Sequence, residues 1–239
     1  MLEIEKGRYI HGNFRLDLSL CAKPAELVAV LGPSGAGKST LLNIIAGFEN
    51  LNEGRVLIDG HDVTHLPPST RPVSMIFQDN NVFPHLTLWQ NVALGVAQNL
   101  KLCMEQRVMV EAALARVGLT ALGSRKPGDV SGGERQRVAL ARVLVRPTKV
   151  LLLDEPFAAL DPSLRQDKLD LVRQITIERA LVTLLVSHQP SEIRHAADAV
   201  VFVAEGAVRE AEKPNIFFTN AADPAITRYL GKVSRRTGI

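Results

Sequence analysis

The sequence predicts an α/β protein with a mainly parallel sheet, an N-terminal antiparallel β part and an inserted helical subdomain. Three observations carry this. Short, continuously apolar runs of strand length recur along the chain, as in ELVAVLG (26–32), KVLLLD (149–154), LVTLLVS (181–187) and AVVFVAEG (199–206). Helical patterns separate most of them, and strands that alternate with helices build parallel sheets. The stretch 80–146, in contrast, holds no convincing strand and keeps to the helical period.

Taken in order, FRLDLSL (14–20) alternates apolar and polar residues, the mark of a half-buried antiparallel strand. ELVAVLG leads into glycines and then a helical pattern, which predicts a buried parallel strand feeding a helix. GRVLIDG (54–60) reads as a strand closed by a turn, and VSMIFQ (73–78) as another buried strand. Helical periodicity then runs through LTLWQNVALGV (86–96), 105–117 and 134–145. The expected organisation is one domain over 1–239. Its α/β core spans 1–79 and 147–239, and the helical subdomain spans 80–146. The terminal KVSRRTGI (232–239) is expected to fray.

Composition narrows the function. Lys plus Arg number 28 and Asp plus Glu 25, for a net charge of +3. The charge is small and evenly spread, which argues against a nucleic-acid partner. Cys21 and Cys103 lie far apart without metal-ligand spacing, so they read as thiols in a reducing compartment. The N-terminus starts charged, which argues against a signal peptide, and no run approaches the ~18 apolar residues of a membrane span. The expectation is a cytosolic chain whose membrane role comes through a partner.

GPSGAGKST (32–40) matches G-x-x-x-x-G-K-[ST] between a predicted strand and a predicted helix, the context this phosphate-binding motif requires. Gly32, Pro33, Ser34, Gly35, Ala36 and Gly37 form a loop whose backbone N–H groups can converge on a β-phosphate. Lys38 supplies a point charge to the β- and γ-phosphates, Ser39 a hydroxyl for Mg²⁺, and Thr40 a bond to the α-phosphate. KVLLLDE (149–155) complements it, because an apolar strand ends there in two carboxylates. In a parallel sheet the ligand crevice lies at the strands' C-terminal ends. Neighbouring residues on a strand point opposite ways, so Asp154 can hold a metal's water while Glu155 turns to the attacking water.

VSGGERQRVALARVLV (130–145) raises a second phosphate-seeking element. It reads as a helix whose start is stripped to Ser131, Gly132 and Gly133, and a bare helix start attracts anions. It lies in the helical subdomain, away from the sheet crevice. Two chains in a head-to-tail, twofold-symmetric homodimer would let Ser131–Gly133 of each close over ATP on the other's loop.

In this order and spacing, GPSGAGKST, VSGGERQR and VLLLDEP resemble the nucleotide-binding subunits of ABC transporters, over nearly the whole chain. SGGERQR discriminates, since GTPases and small-molecule kinases with the same phosphate loop lack it. The resemblance implies a P-loop NTPase with a RecA-like core that hydrolyses ATP with Mg²⁺. It implies that Gln78 contacts the γ-phosphate, metal and attacking water, that Asp161 of AALD (158–161) faces the dimer partner, and that His188 contacts the γ-phosphate. It places Tyr9 where an aromatic ring stacks on adenine, with His11 as substitute, and makes Phe83 and Trp89 contacts for a membrane subunit's helix. Val130 stands where Leu is commoner, Glu134 where Gln is, and Asp79 where Glu is; none removes a phosphate ligand.

Residues 67–95, with the compact length, resemble the ATPase subunits of bacterial thiamine importers. That implies a membrane permease, a periplasmic solute-binding protein acting through it, and a place on the cytoplasmic face of the inner membrane. Importers of iron, sulfate, molybdate or polyamines have similar subunits and stand as alternatives. Non-transport ABC ATPases stand further off, since they typically fuse two cassettes or insert long coiled coils.

Overall fold

The computed structural model describes the backbone of residues 1–77, 82–157, 162–209, 211–220 and 223–237, and their side chains except at 162–164, 191–192 and 232–237. In chain order the elements are β1 (Leu2–His11), β2 (Phe14–Ala22), β3 (Glu26–Leu31), α1 (Lys38–Ala46), β4 (Glu53–Ile58), β5 (His61–Asp62), β6 (Val73–Ile76), α2 (Leu88–Ala93), α3 (Met104–Arg116) and α4 (Gly132–Leu144). There follow β7 (Val150–Asp154), α5 (Pro162–Glu178), β8 (Val182–Val186), α6 (Pro190–Ala196), β9 (Ala199–Ala204), β10 (Ala207–Val208), α7 (Pro214–Thr219) and α8 (Pro224–Thr237). The chain divides into a sheet unit, Met1–Met75 with Lys149–Ile239, and a helical unit, Ile76–Thr148.

Ten strands form a sheet in the order β5-β4-β1-β2-β10-β9-β3-β8-β7-β6. Its centre is parallel: β3 pairs with β8 and β9, and β8 with β7. Every residue of β8 and β9 is buried, as is all of β3 after Glu26. That is why these segments read as unbroken apolar runs. α1 packs on β7 and β8, and α5 and α6 on β3, so helices supply the crossovers that parallel pairing needs.

The antiparallel part holds β1 between β2 and β4. β2 buries Leu16, Leu18 and Leu20 against the core, as its alternation predicts. β1 carries no such pattern. Its register shifts between Ile4 and Gly7, with Lys6 at a φ of 47°. A bulge of this kind swaps the faces midway and breaks the period of two. The tail expected to fray from Lys232 is helical instead, since α8 continues to Thr237.

The helical unit is built from α2, α3 and α4, which pack on one another. Asn91, fully buried, is its polar knot. Its amide donates to Phe83 O, Leu86 O and Thr87 O, and its oxygen accepts from Phe83 N and from Arg142. Burial pulls the Arg142 guanidinium down to about 10. Among the described residues, no helix is long and apolar enough to cross a membrane.

A second buried cation ties α1 into the sheet unit. Arg71, 2 % exposed, donates to Leu66 O, Thr64 O, Ile44 O and Ile45 O. The last two belong to the C-terminal turn of α1, whose carbonyls lack partners within the helix. Arg71→Leu would strand several buried acceptors. Unfolding free energy from urea titration should fall by about 2–4 kcal/mol, at the known cost of ~1–3 kcal/mol per buried unsatisfied group.

Candidate functional site: the cleft at the start of helix α1

β3 ends at Leu31 and the chain turns at once into the 32–37 loop. Gly32 is required there, because a Cβ would lie 2.1 Å from the Val203 carbonyl oxygen of β9. Gly37 caps α1 at a φ of 105°, and a Cβ on it would meet the Phe14 ring at 2.9 Å. α1 has neither a side-chain cap nor an acidic residue in its first turn. No side chain of its own first turn therefore occupies or opposes its amide dipoles, and such a terminus favours a phosphate.

Lys38 folds back into this loop. Its Nζ donates to Gly32 O and Pro33 O, both at 2.9 Å, and the residue is only 6 % exposed. Burial lowers the ammonium's pKa, while Glu155 and Asp154 act in the opposite sense. Both carboxylates thus bear electrostatically on Lys38 from the end of β7.

Glu155 follows β7 with a φ of 48°, a left-handed backbone uncommon outside glycine. Its N–H donates to Val186 O at 3.3 Å. Its Oε1 lies 2.5 Å from His188 Nε2, in the loop after β8. Among the described residues, Asp154 Oδ1 is buried without a hydrogen-bond partner. An orphaned carboxylate oxygen beside a phosphate loop, with the Ser39 hydroxyl in the same loop, is a hard-oxygen donor set suited to Mg²⁺. Among the described residues no group of three or more His, Cys, Asp or Glu could hold a metal unaided.

One cleft of about 350 Å³ gathers Ser34, Gly35, Gly37, Lys38, Ser39, Thr40, Glu155 and His188. Phe14 also lines it, and sequence reasoning missed this. The signal was its place at the start of an alternating strand, where the ring can leave the core. Gln78 and Asp161 lie outside the described residues.

Two expectations change. Tyr9 offers no free face: it is 7 % exposed, donates to Glu49 at 3.0 Å and packs edge-on to Phe14. The exposed ring is His11, stacked parallel to Tyr9 at 6.5 Å. The second helix start is not bare either. Ser131 caps α4, and its Oγ accepts from Glu134 N at 3.3 Å. The Glu134 carboxylate accepts in return from Ser131 N at 2.7 Å and Ser131 Oγ at 2.8 Å. This capping box fills the anion-seeking end of α4 with the chain's own carboxylate.

The family model described as ABC transporter matches residues 16–158. The chain belongs to the ABC transporter family. It is 49 % identical over 230 residues to a Mesorhizobium japonicum protein named thiamine import ATP-binding protein ThiQ, covering 96 % of this chain and 91 % of that one. A Ruegeria protein of the same name is 49 % identical over 97 % of this chain and all of its own length. Among solved structures, cbiO1 from Clostridium perfringens, part of the ABC transporter complex cbiONQ, is 29 % identical. It superposes with a TM-score of 0.82, covering 100 % of this chain and 98 % of that one. A nucleotide-free ATP-binding cassette from an ABC transporter shares the fold, with a TM-score of 0.81 at 24 % identity, covering 96 % of this chain and 98 % of that one. The cleft at α1 is therefore set in the ATP-binding domain of an ABC transporter.

The capping box predicts a pH dependence for this ABC domain. The Ser131 amide, and next its hydroxyl, hold the Glu134 carboxyl below the ordinary glutamate value. A depressed folded pKa means that the box stabilises α4 above the ordinary value of ~4.3. That contribution is lost as pH falls through the lowered value. The Ser131 amide resonance should titrate there in an NMR series, and Glu134→Gln should abolish the titration.

Proposed function

We propose that this chain is the ATP-hydrolysing subunit of an ABC importer that energises thiamine uptake, with two copies closing head to tail over two ATP molecules. The observation that carries the reading is the convergence of Lys38, Ser39, Glu155 and His188 in one cleft at the start of α1, which no side chain caps. The relatives named for thiamine import support the cargo.

On this reading the 32–40 loop surrounds the triphosphate, from Gly32, Pro33, Ser34, Gly35, Ala36 and Gly37 to Lys38, Ser39 and Thr40. Lys38 neutralises charge on the β- and γ-phosphates. Ser39, Asp154 through water, and Gln78 would hold Mg²⁺, which would supply further positive charge to the phosphates. Glu155 takes a proton from, or orients, the water that attacks the γ-phosphorus. His188, in contact with Glu155, and Gln78 fix that geometry. ADP leaves with its new terminal charge, and inorganic phosphate carries the oxygen from water. Adenine meets Phe14 and His11 rather than the buried Tyr9. Ser131, Gly132, Gly133 and Asp161 of each copy complete the other's site, with Ser131 exchanging Glu134 for a phosphate oxygen. The subunit rests on a membrane permease at the cytoplasmic face of the inner membrane. A periplasmic solute-binding protein delivers the cargo to that permease.

Glu155→Gln should leave ATP binding intact, lower turnover by ~10²–10³-fold, within the range of general-base catalysis, and trap an ATP-bound dimer on size exclusion. Parental turnover by this variant would refute the role of Glu155. In a vesicle-reconstituted complex with its permease, thiamine-loaded binding protein should stimulate ATP hydrolysis severalfold over the unloaded protein. Stimulation instead by iron-, sulfate-, molybdate- or polyamine-loaded protein would reassign the cargo.

A further inference from the structure

Glu155 and His188 come from different strands, β7 and β8, yet their side chains meet. Loops that follow separate strands move independently unless something joins them. Beside the pair, a cleft of about 210 Å³ is lined by residues of both loops, the end of β8, α5 and α6. One wall is Arg165 of α5, a charged residue only 7 % exposed.

Its guanidinium reaches both loops. Nε donates to Phe157 O at 3.2 Å, two residues beyond Glu155. Nη1 donates to the Gln189 side-chain oxygen, one residue beyond His188. Gln189 is itself held by its backbone N–H on Ser187 Oγ at 3.1 Å. A planar fork with donors on separate nitrogens can serve two acceptors at once, which a lysine ammonium on a flexible stem does poorly. Burying it costs solvation, so its presence between two loops asks for a reason beyond packing.

We propose that Arg165 is a positioning residue: it clamps the 155–157 loop to the 188–189 loop and so holds Glu155 against His188. The inference rests on the reading of those two residues as the hydrolytic pair. Its effect on the pair runs through the Phe157 backbone and the Gln189 side chain. It acts on the rate of the chemical step through geometry, where misplacement of about 1 Å can cost up to ~10²-fold.

The test is a double-mutant cycle on ATP hydrolysis by the full 239-residue chain, with Arg165→Lys, Gln189→Leu and the double variant. Gln189 is partly exposed, so its variant keeps the cycle interpretable even where a change at buried Arg165 impairs folding. Gln189→Leu should lower kcat about tenfold with the KM for ATP within about twofold and the melting temperature unchanged. Arg165→Lys should do the same, and the double variant should be no slower than the slower single variant, because one clamp cannot be broken twice. Unchanged kcat in Gln189→Leu, losses that multiply, or a loss appearing in KM would overturn the clamp. Glu155→Gln, assayed alongside, separates the two levels. If it turns over at the parental rate, the hydrolytic reading fails. If it is slow while the Arg165 and Gln189 variants are normal, the clamp alone fails.

Discussion

Four strands, β9-β3-β8-β7, are buried on both faces, and that constraint shapes the rest of the molecule. Backbone groups removed from water must pair within the sheet. Parallel pairing satisfies them only if helices carry the chain back between strands. Each strand therefore runs the same way, and the loops that follow β3, β7 and β8 emerge at one edge. The lysine of the first, the carboxylates of the second and the imidazole of the third are distant in sequence and close in space. Helix α1, starting where β3 ends, adds its dipole to the same place.

The two helix starts that read alike in sequence are physically different. α1 begins on a left-handed glycine with no side chain over its amides. α4 begins on a serine whose hydroxyl and amide already engage Glu134. Glycines lie at both starts, before α1 and in the first turn of α4, and the carboxylate of Glu134 separates the open terminus from the filled one. An anion at α1 meets little competition, whereas an anion at Ser131 must displace a ligand that is covalently always present.

Much of this was legible in the residues. Continuous apolar runs marked the central strands because both their faces are covered, and the phosphate loop was legible because glycine positions there answer to backbone geometry rather than to distant neighbours. The parts that were not legible depend on contacts across the chain. β1 is hidden by its bulge, whose need arises from pairing with β2 and β4 at once. Tyr9 is withdrawn by Glu49, forty residues away, and no local pattern announces that bond. The serine cap was present as S-x-x-E spacing, yet two intervening glycines suggested a bare helix start. Arg165 looks in sequence like any helical surface arginine, and only folding turns it inward.

Glu155 stands at a torsion that asparagine or glycine would occupy at less cost. A left-handed backbone on an ordinary side chain carries a penalty of roughly 1–2 kcal/mol, a large share of what keeps a domain folded. The fold therefore holds an unclaimed reserve at the carboxylate that meets His188. A chain selected for durability alone could draw on that reserve, and would lose its base in doing so.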